Sequence, residues 1–171
     1  WDGAQTWTLA ADRASPPTEL WKARDPSALM ATPLFDARTF YVLDRRHGLI
    51  AIDRTSGERG SGDEHRLTAP GRNPHAALVA VADPSAPEAS SRNSAEDSAA
   101  ASSDSGSPLR AVALNTEGQL VLLELSSESI AERGRVELLA PTWSHPAFVG
   151  DRVYARNDVE IVCFEVKRSG E

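Results

Sequence analysis

A single cysteine, Cys163, is all the thiol chemistry the chain possesses, so no disulfide can close within it and no multi-cysteine metal site can be built. It stands in the apolar run Ile161-Val-Cys-Phe164 and reads as a small buried thiol. Lysine is nearly missing, with only Lys22 and Lys167, and 18 basic residues face 25 acidic ones for a formal net charge of −7. Such a chain lacks the clustered cations that neutralise a phosphate backbone, which argues against nucleic-acid binding. No apolar run approaches the roughly 18 residues of a bilayer-spanning helix. The opening Trp1-Asp-Gly-Ala-Gln-Thr-Trp7 has neither an initiator Met nor a signal-peptide pattern, so Trp1 is expected to lie inside a longer precursor. Long amphipathic helices are also missing: Gly, Pro and Asp punctuate the chain about every 8 to 12 residues, the spacing of short strands.

What is present is a succession of such strands. With 171 residues, 40% of them hydrophobic, the chain can bury one real core. Residues 1–25 offer Gln5–Leu9 and Glu19–Ala23, joined across Pro16-Pro17, a pair that forbids a helix there. Met30 to Arg59 is the clearest stretch. Ala31–Phe35, Thr39–Leu43 and Leu49–Ile52 read as three strands, reversed at Asp36-Ala-Arg38 and at Asp44-Arg-Arg-His-Gly48. Glu64–Leu67 leaves room for one short outer strand.

The pattern then recurs. Pro74–Val81, Arg110–Asn115, Gln119–Leu125 and Ile130–Leu139 read as four strands; Thr142–Val149, Arg152–Arg156 and Val159–Val166 read as three more. Between the first two of these four strands lies a Ser-rich segment, residues 84–108, nearly devoid of large apolar side chains and expected to be a disordered insert. The first strands of successive units align at Thr32, His75 and His145. The first interval is 43 residues and the second is 70, or 45 with the 25-residue insert set aside. About four strands per unit at that period is the arithmetic of a β-propeller blade. The expected fold class is all-β: a partial propeller of about three four-stranded antiparallel blades. Residues 1–25 would end a preceding blade, 26–68 and 69–140 would be blades, and 141–171 an incomplete last one. Propellers close with about four to eight blades, so this chain is expected to need further blades from a longer one.

The stretch ATPLFDARTFYVLDRRHGLIAIDRTSGER resembles the repeat of the pyrroloquinoline-quinone-like β-propellers, and SHPAFVGDRVYARNDVEIVCFEV is similar to their closing blade. The Ala51-Ile-Asp53 and Thr55-Ser-Gly57 turn carries most of that resemblance. It implies the C-terminal part of a seven- or eight-bladed ring, an exported or membrane-anchored bacterial protein, and a tryptophan after the Thr-Gly turn that docks one blade on the next. This chain has Arg59-Gly60-Ser61 there instead. The family's quinone-dependent dehydrogenases hold the cofactor with calcium through an Asn, an acidic residue and an Asp, often beside adjacent cysteines. Asn73, Asn115 and Asn157 match no such motif and no Cys-Cys occurs, so no cofactor is assigned to this sequence.

First strands of blades line the central channel, so His75 and His145 are expected at one mouth of the ring, where two imidazoles could contact a metal or an anionic ligand. Thr32 occupies the matching place in the first unit and supplies no third metal ligand. His47 and His65 fall in turns and read as solvated. Asp36, Asp44, Asp53, Asp151 and Asp158 read as turn caps, and Trp21 and Trp143 as packing between blades. The resulting expectation is a non-catalytic scaffold for a protein or peptide partner, resembling outer-membrane assembly propellers. The alternatives are a fragment of a quinone- and calcium-dependent dehydrogenase and a carbohydrate-binding propeller.

Overall fold

The computed structural model describes residues 3–8, 15–60, 62, 64–81 and 108–166. All regular structure among them is β, in four antiparallel sheets whose strands follow chain order. β1 (Ala4–Thr8) and β2 (Thr18–Ala23) form a hairpin. β3 (Leu34–Phe35), β4 (Thr39–Asp44) and β5 (Gly48–Asp53) form a three-stranded sheet. β6 (Ala76–Ala80), β7 (Leu109–Asn115), β8 (Gln119–Leu125) and β9 (Ile130–Glu137) form a four-stranded one. β10 (Ala147–Val149), β11 (Arg152–Arg156) and β12 (Ile161–Glu165) complete the described chain as a terminal sheet. β6 pairs directly with β7, so the Ser-rich segment joins adjacent strand ends; residues 84–107 of the expected disordered insert lie outside the described residues.

Alternation places the core. Tyr41 and Leu43 on β4, Leu49 and Ala51 on β5, Ala76 and Leu78 on β6, Ala111 and Ala113 on β7, and Val121, Leu123 and Leu125 on β8 form one buried cluster between the two largest sheets. β5 is buried on both faces, since Ile50 and Ile52 are covered as well. A smaller cluster of Leu114, Leu139 and Ala155 joins the four-stranded sheet to the terminal one.

The first strand of the opening meander is shorter than the sequence suggests. Pro33 brings no amide to a ladder, and residues 27–29 take the other half of the β4 edge, with Leu29 N–H donating to Leu43 O and Arg45 N–H to Ser27 O. The expected outer strand at Glu64–Leu67 is reduced to single-residue bridges, His65 opposite Leu49 and Arg59 opposite Ile52.

One device recurs in three sheets, at the turn after the second strand. Asp44 Oδ1 accepts from the amides of Arg46 and His47. Asn115 Oδ1 accepts from Glu117 and Gln119, and Asn157 Oδ1 from Val159 and Glu160. Asp44 and Asn115 are fully buried and further tied down, Asp44 by Ser27 N–H and Asn115 by donation to Leu67 O. Asp36 and Asp53 cap their own turns as expected. Asp151 and Asp158 do not: in the terminal sheet the caps are made by Asn157.

Two further expectations are corrected. Cys163 is exposed, because the burial of β12 alternates and no described element covers its outer face. Trp143 is 60% exposed rather than core. It lies before β10, and an imidazole covers one of its faces.

Candidate functional site

That imidazole is His75. It immediately precedes β6 and is 9% exposed, on a segment locked to the 115–118 turn. Asn73 Oδ1 accepts from His75 N–H, Thr116 Oγ1 donates to Asn73 O, and Thr116 N–H donates to His75 O. Residues 142–145 approach from the terminal sheet, with Thr142 N–H donating to Thr116 O. Thr142 and Ser144 both turn their hydroxyls to the Arg156 carbonyl. In an extended segment the intervening side chains take the other side. Trp143 thereby stacks on His75, with ring centroids 5.6 Å apart and planes 16° from parallel.

His145 is exposed yet near enough for its charge to act on His75. Burial first, and His145 second, push the His75 imidazole below its ordinary range, so it is neutral at neutral pH. Thr32 is exposed ahead of β3.

The chemistry open to this cluster is recognition through an indole face and two imidazoles. The histidine–carboxylate pairs among the described residues belong to His47 and His65. The same residues hold no group of three or more His, Cys, Asp or Glu that could bind a metal.

No family model, curated protein or solved structure matches this chain. Its function is accordingly argued from its own side chains. Two concavities open elsewhere among the described residues. A cleft of about 260 Å³ lies between Ser27–Leu29 and Asn73-Pro74, with Arg45 on its wall. A groove of about 420 Å³ runs along Ser126–Ser129, bounded by Pro108, Glu124 and Arg133.

His47 and His65, read from the sequence as solvated, are both engaged. His47 Nδ1 lies 2.7 Å from Glu64 Oε1, and His65 Nε2 lies 3.0 Å from Glu132 Oε2. The second contact joins the outer edge of β5 to β9, across a separation of 67 residues. Arg135 also holds Glu132, at 2.8 Å, and keeps that carboxyl below the usual carboxylate range. No local pattern announces such a pair. The alternation Thr142-Trp-Ser-His145, two hydroxyls against two rings, was the available signal for the exposed indole.

Proposed function

We propose that these sheets are consecutive blades of a β-propeller built from pyrroloquinoline-quinone-like repeats, and that the chain serves as a non-catalytic scaffold for a protein or peptide. The observation that carries this reading is a junction made twice. Each time, the outer segment of one sheet seats against the turn after the third strand of the next. Trp21 lies on the turn 53–57, its Nε1–H donating to Arg54 O at 2.8 Å. Gly60 and Gly62 lie on the turn 126–129. The Asx-capped turn found in three sheets supports the same repeat. Exposed Val149, Val159 and Ile161 on the terminal sheet and its turns supply apolar surface for further blades or a partner.

Class averages of the full-length protein by electron microscopy test the architecture: a ring of seven or eight lobes is expected, and a two-layer sandwich would refute it. Reduction of an acceptor dye on adding quinone and calcium would instead favour the dehydrogenase reading. A second reading draws on Trp143, whose open indole face is the kind of platform on which a sugar ring stacks. Glycan quenching of tryptophan fluorescence that disappears in Trp143→Ala would support it.

A further inference from the structure

The last strands of the three larger sheets finish their outer edges differently. In the three-stranded sheet the free side of β5 is covered: Gly60 N–H donates to Ala51 O, and Leu49 and His65 exchange both amide bonds. The four-stranded sheet ends on β9, where Glu132, Arg133, Arg135 and Glu137 crowd a strand interrupted by a register shift opposite Leu122 and Leu123. Charge and a bulge both discourage an edge from pairing again. The terminal sheet ends on β12, Ile161-Val-Cys-Phe-Glu165, which pairs with β11 without a register shift and carries one charge, at its end. No strand or bridge among the described residues pairs with its other side. Two hydrogen bonds fix which backbone groups point there: Asn157 N–H donates to Glu160 O at 3.0 Å, and Val166 N–H to Asp151 O at 2.7 Å. Bonded pairs alternate along an antiparallel ladder. Val162 and Phe164, opposite Ala155 and Val153, therefore spend their amides and carbonyls on β11, while Ile161 and Cys163 turn theirs outward.

We propose that β12 pairs antiparallel with β12 of a second copy about a twofold axis at Cys163, joining two three-stranded sheets into one of six strands. The axis of such a pair stands perpendicular to the sheet, so opposed residues share a face. Centred on Cys163, the pairing sets Cys163 against itself with reciprocal N–H to carbonyl bonds. Val162 then lies opposite Phe164 of the second copy, twice over, on the face packed toward the four-stranded sheet. A β-branched side chain beside an aromatic is a favourable cross-strand pair. Glu165 falls opposite Ile161 of the second copy, so no like charges are opposed. This match of the strand with itself selects a second copy over an unrelated segment, and an apolar, proline-free run of low charge has the composition that pairs with itself. Two five-residue strands bury little area, so the dissociation constant should be about 10–100 µM. The inference goes beyond the scaffold reading and needs no ring: a ring that does not self-associate would refute the pairing and leave the scaffold intact.

Sedimentation equilibrium of the full chain under reducing conditions tests it, with a reversible monomer–dimer equilibrium expected. Cys163→Lys, at an exposed position, would bring two ammonium groups together at the axis and should raise the dissociation constant by about tenfold or more. Val149→Lys changes an exposed apolar residue on β10, at the other edge of the same sheet, and should leave the constant unchanged. Hydrogen exchange of the unaltered chain supplies a readout that needs no variant. The Cys163 amide should slow as concentration rises through the dissociation constant, whereas the Phe164 amide, already bonded to β11, should not respond. A monomer at every concentration, a dimer untouched by Cys163→Lys or equally weakened by Val149→Lys, or a Cys163 amide indifferent to concentration would overturn the proposal.

Discussion

The junction before the three-stranded sheet and the junction after it solve one packing problem with opposite residues. Before it, the half-buried Trp21 lays its indole over Gly57, whose φ of 72° and missing Cβ leave room for the ring. Behind this contact, the Arg54 guanidinium covers Phe35 and Phe40 at 5.7 and 5.5 Å and donates to Asp36 O, so the carbonyl that Trp21 bonds is held from both ends. After the sheet, a glycine replaces the tryptophan: a Cβ on Gly60 would stand 2.7 Å from Ser127 O. One junction has a large side chain meeting a bare backbone, the other has two backbones meeting directly. The capping differs too. Asp53 closes the first turn with a carboxylate, and Ser126 closes the second with a hydroxyl. Sheets can therefore dock in the same place with an aromatic or with nothing, provided that glycine stands on one side.

Gly57→Ala attacks the first junction most severely. An added Cβ would lie 2.6 Å from two atoms of the Trp21 ring and would also impose a left-handed residue, so about 3–4 kcal/mol of docking stability should be lost. Denaturant unfolding and exchange of the β1–β2 amides would record it. Trp21→Ala should cost less, about 2–3 kcal/mol, because the indole is only partly buried. In the double variant the steric part vanishes, and a double-mutant cycle should return about 2 kcal/mol of coupling; strict additivity would mean that the ring and the glycine do not define this junction. Gly60→Ala should cost about 1–2 kcal/mol, felt at β9 and not at β1. The smallest effect is in pH. Amides of Thr55 and Ser56 hold Asp53 below the ordinary carboxylate value of 3.8, so its cap is present above that value and is lost as pH falls through the lower folded one. Exchange at Ser56 should accelerate at that acid limit, whereas the turn at Ser126–Ser129 should not respond.

Much of this was legible in order but not in contact. The strand succession could be read because β-branched and apolar runs alternate with turn residues, and β8 and β11 fall on the bounds that pattern implies. Ala31–Phe35 read too long because a strand needs a free partner edge, and residues 27–29 had taken part of it. The caps at Asp36, Asp44 and Asp53 were legible from local chemistry. Asn115 and Asn157 perform the same task with an amide oxygen and were passed over in favour of Asp151 and Asp158. Of the candidate site, the sequence singled out His75 and His145 by their positions ahead of β6 and β10. The stacking of Trp143 was not legible, since an aromatic in an apolar stretch reads as core unless the covering element is known. Tyr41 illustrates the same limit: its place on a strand was legible, but its burial and the hydrogen bond from its phenol to Asp36, which hold the proton well above the ordinary range, depend on a contact between strand and turn.

By itself the sequence determined the local grammar: where strands run, where they reverse, and that the reversals repeat, because φ/ψ preference and side-chain alternation act over a few residues. Only the tertiary structure decided which turn receives an indole and which a glycine, that His65 gains a carboxylate while His75 gains an indole ring, and that Cys163 faces outward. Those outcomes depend on side chains tens of residues apart being brought to the same few ångströms, and no local preference encodes that.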